Sequence, residues 1–194
     1  MSGYAASVAC LALVATLALS LYWPAKDFEF AFDDRHAVVE NKDVLGKNAW
    51  SSLLVHDFWG FEIDKFYATK SYRPLTIAFW RLLHQCSNDH EPSPYLFHSL
   101  NVIAHATVSL QVYGLAHQVF SLTLASSCAA RARWPALAAA LLFAAHPVHT
   151  EAVAGVVGFA ELLCASLGLL GLQLLLCSDE TLLCNAEILA RSTL

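Results

Sequence analysis

Hydrophobic positions along this chain gather into long runs separated by one mixed region. Tyr4 to Trp23 gives twenty positions without a charge, which is about the length that spans a bilayer core as a helix. Leu96 to Phe120 and Ala154 to Cys177 are two further runs of helical length. Trp134 to Ala145 is too short to cross alone, so it either begins earlier or stops partway into the bilayer. The pattern predicts an all-α membrane protein with about four spans.

These runs divide the chain into four parts. We expect residues 1–24 to form the first transmembrane helix, 25–94 a large loop, 95–177 transmembrane helices 2 to 4, and 178–194 a tail without a further span. The first run resembles an uncleaved helix more than a signal peptide, because no Lys or Arg precedes it. Its exit, Leu21-Tyr22-Trp23-Pro24, carries aromatic side chains that suit a membrane interface.

The loop of residues 25–94 is too long for a turn and too apolar for a disordered linker. Two stretches in it have helical spacing of apolar residues. The first, Ala49 to Phe58, predicts a helix with one face made by Trp50, Leu53, Leu54 and Phe58. The second, Arg73 to His84, begins at Pro74, a residue favoured at helix starts, and shares a face among Leu75, Phe79, Leu82 and Leu83. Such short, aromatic-rich helices are typical of membrane surfaces.

Composition agrees with a membrane protein. The chain is 57% hydrophobic and only 14% charged, against about 25% charged residues in soluble domains, so membrane lipids are expected partners. The formal net charge of −5, with no basic run, argues against a nucleic-acid partner. No two of the six cysteines have metal-ligand spacing, and we interpret all six as small apolar side chains.

Basic residues indicate the orientation. Arg131 and Arg133 lie in a connection without acidic residues, which marks that connection as cytoplasmic. The N-terminus is then cytoplasmic, and the loop of residues 25–94 lies on the far side. The stretch HPVHTEAV, His146 to Val153, is predicted on that same far side.

Two acidic stretches on the far side are candidates for chemistry. Asp33 and Asp34 follow the alternating aromatics Phe28, Phe30 and Phe32. In an extended segment successive side chains point to opposite faces, which favours Asp34 on the aromatic, membrane-facing side, whereas a turn at Phe32 would leave Asp33 equally suited. In HPVHTE the side chains of His146, His149 and Glu151 could line the same site. Pro147 prevents a regular helical His–His pair, so we predict no zinc site there.

Charged and polar side chains also occur within the predicted spans and at the end of the loop. Glu161 is expected about two turns into the fourth span, where a carboxylate is either functional or hydrogen-bonded within the bundle. In the second span a polar stripe follows helical spacing and predicts either bonds between helices or a substrate-facing surface; it comprises His98, Asn101, His105 and Ser109. Lys70, Arg73 and Arg81 could bind a phosphate or ordinary anionic lipid.

Several blocks of sequence together resemble one family. FDDRHAVVENKDV, HDFWG, KSYRPLTIAFWRLLH, FHSLNVIAHA and HPVHTEAVAGVVGFAELL stand in the order seen in the transmembrane and tetratricopeptide-repeat O-mannosyltransferases. That family belongs to the C-type (GT-C), multispanning glycosyltransferases of the endoplasmic reticulum membrane. The resemblance runs from about Phe28 to Leu176 and implies a GT-C-like helical bundle whose large first loop is lumenal and carries interfacial helices.

The resemblance also implies an activity. Members transfer mannose, with inversion, from dolichyl-phosphate mannose to Ser or Thr hydroxyls of lumenal proteins. An acidic residue of the first lumenal loop is the expected catalytic base, which corresponds to Asp33 or Asp34. Arg73, in the SYRPL block, is the expected ligand of the donor phosphate, and Lys70 lies beside it. The resemblance leaves open whether a divalent metal assists.

Two departures from the family pattern leave an alternative open. Where the family reads GRAELL or GRADLL, this chain has Gly158-Phe159-Ala160-Glu161, so an Arg is missing. Members also continue into more helices and a tetratricopeptide array, so we expect this chain to be the N-terminal part of a longer enzyme. The alternative is a non-catalytic membrane adaptor of the endoplasmic reticulum that retains the fold. A proton-coupled transporter using His98, His105 and Glu161 would leave the large loop unexplained.

Overall fold

The computed structural model describes residues 3–87, 90–123 and 131–192, with side chains as far as Cys177. Within these ranges the regular structure is helical, apart from one isolated antiparallel bridge between His56 and Glu62. The α-helices are α1 (Gly3–Tyr22), α2 (Pro74–Ser87), α3 (Pro94–Thr123), α4 (Arg133–Ala145), α5 (Thr150–Ala154) and α6 (Phe159–Ser192). Shorter 3-10 turns lie at Trp23–Asp27, Trp50–Leu54, Pro147–His149 and Val156–Gly158, and a π-helical turn at Arg35–Val39.

The long helices fall on the uncharged runs of the sequence. By length and composition two segments of the described chain could cross a membrane, Tyr4–Asp27 and Val156–Cys177. A third is added if α4 and Pro147–Ala154, which meet at a bend of 45°, form one broken span. Whether the short third run crosses a membrane therefore stays a prediction. The 30-residue α3 is not among these candidates, because its polar stripe lowers its hydropathy, and its membrane crossing stays a prediction.

The chain folds into two compact units. The first comprises residues 1–18, 106–146 and 164–194. In its core, Cys10 and Val14 of α1 pack with Tyr113 of α3 and with small residues of α4 such as Ala136 and Ala140. Small side chains let helices approach closely, as is common in membrane bundles. The helix α6 continues through the predicted tail to Ser192.

The second unit comprises residues 19–105 and 147–163 and contains the loop. Its main core is aromatic: Trp80 of α2 lies 5.5 Å from the Phe58 ring and 6.4 Å from the Phe159 ring, measured between ring centroids. Phe97 of α3 and Val38 of the π-helical turn complete this core with fully buried side chains. The loop is thus a folded layer with its own hydrophobic interior.

Helix α2 begins at Pro74, as predicted, and has two distinct faces. Ile77 and Trp80 are buried in the aromatic core. On the other side Leu75, Phe79 and Leu82 are exposed, and Leu83 is half-buried. The exposed apolar face agrees with a helix whose outer side meets lipid, and that contact stays a prediction.

The prediction of one helix over Ala49–Phe58 was wrong. Only Trp50–Leu54 is helical, as a 3-10 turn, and the chain then bends at Val55. Leu53 and Phe58 are buried, whereas Trp50 and Leu54 are exposed, so the four do not share a face. Polar side chains determine this bend: the Asp43 carboxylate contacts His56 Nδ1 at 2.7 Å and accepts a hydrogen bond from Asn48 Nδ2 at 2.7 Å.

Asp57 fixes the chain that follows this bend. Its buried carboxylate accepts hydrogen bonds from the backbone amides of Trp59 (2.9 Å), Phe61 (3.0 Å) and Thr69 (3.0 Å), and from the Thr69 hydroxyl (3.1 Å). A carboxylate with several amide donors is a strong local anchor because charge-assisted hydrogen bonds exceed neutral ones in strength. The segment from Trp59 to Thr69 is therefore held by side-chain bonding in place of regular structure.

The polar stripe of α3 is buried along its whole length. Asn101 Nδ2 lies within hydrogen-bond distance of the carbonyl oxygens of Ala152 (3.3 Å), Gly155 (2.7 Å) and Val156 (3.4 Å). Carbonyls at a helix C-terminus lack partners within the helix, and Asn101 supplies a donor where α5 ends. This contact supports bonding between helices as the role of Asn101.

Candidate active site

A cleft of about 420 Å³ opens in the second unit, and Asp33 lies in its wall. We call it the Asp33 cleft. Its lining comes from three parts of the chain that are far apart in sequence: Asp33, the segment from Phe58 to Arg73, and the segment from Val148 to Glu161. The lining residues are Asp33, Phe58, Trp59, Ser71, Arg73, Val148, Glu151, Ala152, Val157, Gly158 and Glu161.

The two aspartates have different environments because the chain turns at Phe32. Phe32 has a φ of 47°, which ends the extended segment, so the predicted alternation of side chains through Asp34 was wrong. Asp34 is buried, and its carboxylate accepts hydrogen bonds from the backbone amides of Ala31 (3.2 Å) and Val157 (3.1 Å). Asp33 is exposed in the cleft. Asp34 therefore joins two segments, while Asp33 is the accessible carboxylate.

Arg73 and Glu161 face each other in the cleft. Arg73 Nη2 lies 3.5 Å from Glu161 Oε1, and the guanidinium lies 5.0 Å from the centroid of the Phe58 ring. Both side chains are accessible, with 39% and 60% of their surface exposed. The helix α6 begins at Phe159, after a 3-10 turn, so Glu161 belongs to its first turn and lies somewhat nearer the start of the candidate span Val156–Cys177 than the two turns predicted.

The opposite wall depends on a close backbone approach. Glu151 and Ala152 belong to α5, and Gly158 is the last residue of the short 3-10 turn after it. A Cβ atom on Gly158 would overlap the Ala152 carbonyl oxygen and lie 2.6 Å from Ala152 Cα, a separation that real side chains do not reach. Only glycine fits at this position, and its small size sets the shape of this wall.

Several predicted site residues lie outside the lining of the cleft. Lys70 is exposed in a left-handed conformation with a φ of 59°. Arg81 is buried, donates to the Asn48 carbonyl at 2.9 Å and stacks 4.3 Å from the Trp50 ring, so it is structural. His149 stacks on His105 with ring centroids 5.2 Å apart.

His146 follows α4 in the first unit, where its side chain is exposed and its backbone amide bonds the Phe143 carbonyl at 3.1 Å. Of the four residues predicted to line the site, the cleft brings together Glu151 and Glu161.

Phe159, where the family pattern has an Arg, is buried against other aromatic rings. It lies 5.8 Å from Phe79 and 6.4 Å from Trp80, measured between centroids, and does not line the cleft. An aromatic residue suits this environment. Where the family has an Arg, this chain therefore has an aromatic side chain that packs in the core of the second unit.

Sequence reasoning missed Trp59, Ser71 and Gly158 as lining residues. Trp59 and Ser71 stand in or beside the blocks HDFWG and KSYRPL, and their place in those blocks was the only available signal. As for metal, in the described part of the chain no three His, Cys, Asp or Glu side chains lie close enough together to hold an ion.

Relatives among curated proteins cover most of this chain. The human protein O-mannosyl-transferase TMTC4 is 39% identical over 156 residues, which is 79% of this chain and 21% of the relative. The mouse protein O-mannosyl-transferase TMTC3 is 40% identical over 151 residues, 78% of this chain and 15% of the relative. The Drosophila melanogaster protein O-mannosyl-transferase Tmtc2 is 38% identical over 147 residues, which is 76% of this chain and 14% of the relative. The chain belongs to this family.

The family resemblance read from the sequence blocks is thereby confirmed. The chain spans about a fifth, or less, of the length of these curated relatives. No family model matches the chain, and no solved structure matches it.

In this member of the family, the Asp33 cleft offers an accessible carboxylate and a guanidinium in one open cavity. A carboxylate can accept a proton from a reacting hydroxyl, and a guanidinium can stabilise a developing anionic charge.

Proposed function

We propose that the chain carries the catalytic cleft of a protein O-mannosyltransferase of the endoplasmic reticulum membrane. The donor is dolichyl-phosphate mannose, and the acceptors are Ser or Thr hydroxyls of lumenal proteins. The relatives, which are protein O-mannosyl-transferases by name, support protein O-mannosylation. The candidate membrane-crossing helices support a lipid-linked donor.

Asp33 is the proposed general base. As the acceptor oxygen forms its bond to the sugar C1 atom, the bond from C1 to the phosphate oxygen breaks and the electron pair leaves with the phosphate. The hydroxyl proton passes to the Asp33 carboxylate. A hydroxyl is a weak nucleophile at neutral pH, and a positioned base typically contributes about 10²–10⁴-fold to the rate.

Arg73 is the proposed partner of the leaving phosphate. Its guanidinium is always charged and matches phosphate oxygens with two parallel donors. The Phe58 ring and Glu161 hold it facing the cleft. Glu151 provides a further carboxylate that could bind sugar hydroxyls.

The single observation that carries this proposal is the separation of roles within the aspartate pair. Asp34 already accepts two backbone hydrogen bonds, from Ala31 and Val157, and is buried. Asp33 is exposed toward the same cavity as Arg73. A base must reach the acceptor hydroxyl, and Asp33 is the member of the pair that can do so.

The test compares two isosteric variants of the full chain in membranes. Asp33→Asn should lower mannose transfer by at least about 10²-fold with unchanged expression and thermal stability. Asp34→Asn should lower the amount of folded protein, because an amide has one acceptor oxygen where the carboxylate has two. Transfer rate and melting temperature are measured on the same preparations.

Other results would point elsewhere. Normal transfer by Asp33→Asn would remove the assignment of the base. Absence of mannose transfer by a full-length version of the protein that folds and inserts would favour the alternative, a membrane adaptor that retains the fold without chemistry.

A further inference from the structure

A second cleft of about 620 Å³ shares Asp33 and Trp59 with the Asp33 cleft. We call it the Phe61 cleft. Its remaining lining comes from the π-helical turn and the segment after Trp59, and consists of His36, Glu40, Lys42, Gly60, Phe61 and Thr69. A cavity of this size is large enough to enclose a ligand of several residues, since typical ligand pockets measure about 300–1,000 Å³.

The reaction proposed above needs two adjoining sites. In an inverting displacement the nucleophile approaches the sugar C1 atom from the side opposite the leaving phosphate. The base must contact the nucleophile, so it stands where the acceptor arrives and the sugar lies between it and the phosphate. Of these two clefts, Arg73 lines the Asp33 cleft and not the Phe61 cleft, whereas Asp33 lines both. The acceptor therefore has a separate cleft from which to reach Asp33.

We propose that the Phe61 cleft binds the acceptor polypeptide as an extended segment, with its Ser or Thr hydroxyl at Asp33. This rests on the proposed function and names the surface that recognises the acceptor. Phe61 and Trp59 present aromatic surface to the acceptor segment. Polar groups of the cleft come from Lys42, His36 and Glu40, and His36 Nδ1 lies 2.6 Å from Glu40 Oε2.

The cleft is built before any acceptor arrives. Asp57 fixes the backbone amides of Trp59, Phe61 and Thr69, and all three residues line the cleft. Gly60 has a φ of 82°, and a Cβ atom there would lie 2.8 Å from Asn41 Oδ1, so a larger residue would displace this wall. A preformed surface binds with less loss of conformational entropy than one that must order itself.

A substitution of Phe61 should affect the KM for the acceptor and not the KM for the donor. Phe61→Ala should raise the KM for a short peptide with a single Thr by roughly fivefold, the range expected for loss of one aromatic contact, and leave the KM for the donor unchanged. Phe66→Ala is the matched control, because Phe66 lies in the same segment, is 97% exposed and does not line the cleft. Equal acceptor KM values for Phe61→Ala and wild type, or a parallel rise in donor KM, would overturn the proposal.

A binding measurement keeps the test independent of catalysis. A photoreactive phenylalanine analogue is placed at position 61 or at position 66 of the full chain, and capture of the labelled Thr peptide is compared. Capture at position 61, competed by unlabelled peptide and absent at position 66, supports the acceptor site even where no mannose is transferred, an outcome that would refute only the proposed function. Equal capture at both positions, or none at position 61, refutes the acceptor site.

Discussion

At the scale of single residues, the ion pair between Arg73 and Glu161 is weak because both side chains are exposed to water. The N···O distance is 3.5 Å and both side chains are accessible to water. Exposed ion pairs of this kind contribute about 0–1 kcal/mol, so an incoming phosphate can displace the Glu161 carboxylate. The Phe58 ring lies on the guanidinium in either case. Arg73 is therefore held in place while its hydrogen-bond donors stay available.

Substitutions at these two positions should have opposite effects. Arg73→Lys should lower kcat/KM for the lipid-phosphate donor about tenfold or more, because an ammonium lacks the paired donors of a guanidinium. Glu161→Gln should lower the donor KM a few-fold, since it removes a negative charge beside the phosphate. Initial rates at varied donor and saturating acceptor measure both.

Lys70 provides the control for this pair. It lies three residues before Arg73, is exposed and does not line the Asp33 cleft, so Lys70→Ala should leave donor KM unchanged. Full activity in Arg73→Lys would mean that Arg73 meets only lipid headgroups.

At the scale of elements, the segment from Trp59 to Thr69 depends on one side chain. Asp57→Asn keeps its shape but loses the charge and one acceptor oxygen that these backbone amides need. We expect this segment to open and trypsin to cleave after Lys65 several-fold faster, because cleavage follows the population of the open form. Asp27→Asn, whose side chain is 65% exposed and lies outside this segment, should leave the cleavage rate unchanged. Equal rates in the two variants would show that Asp57 does not hold the segment.

The short turn between α5 and α6 depends on Gly158, just as the segment from Trp59 to Thr69 depends on Asp57. Gly158→Ala should lower the free energy of unfolding by about 1–3 kcal/mol, the usual range for overpacking, because its Cβ meets the backbone of Ala152. Gly168→Ala is the control, since a Cβ at Gly168 has no neighbour within 4 Å and alanine favours helix. Thermal unfolding in detergent compares them, and a stable Gly158→Ala variant would contradict the close approach.

The elements differed in how far the sequence could predict them. The runs that became α1 and α6 carry few charges, and Pro74 marked the start of α2 correctly. The stretch from Phe28 to Phe58 was read wrongly because its course depends on carboxylates that bond backbone amides and on a positive φ at Phe32, which is uncommon for a bulky residue. The spacing of hydrophobic residues predicts neither these hydrogen bonds nor the positive φ.

The candidate site shows the same division. The sequence blocks named Asp33, Arg73, Glu151 and Glu161, and the structure gathers all four in one cleft. The distinction between Asp33 and Asp34 required the contact with Val157, which lies 123 positions away. Lys70 and His149 stand in the same blocks but do not line the cleft, because membership of a block does not say which way a side chain faces.

At the scale of the whole molecule, the orientation of the loop can be tested with a glycosylation site, since the chain contains no Asn-X-Ser/Thr sequence. Phe66→Asn with Ala68→Ser introduces one at the most exposed aromatic position of the loop. A lumenal loop should be glycosylated and shift on a gel, because the oligosaccharide is added only on the lumenal side. Asn48 is less suitable, since its side chain bonds Asp43.

A site in the connection after α3 is the counterpart. Ala125→Asn creates Asn-Ser-Ser in that connection, which should stay unmodified on the cytoplasmic side marked by Arg131 and Arg133. Modification there, with an unmodified loop, would reverse the orientation and remove the lumenal site.

The hydrogen bond from the Val157 amide to Asp34 also affects the order in which the chain folds during synthesis. A ribosome adding roughly 5–20 residues per second makes Val157 about 6–25 seconds after Asp34, given the 123 positions between them. Throughout that interval the Asp34 carboxylate is solvated, and the turn that presents Asp33 lacks its distant support. The newborn chain therefore completes the Asp33 cleft late, after residues 25–94 have already been synthesised.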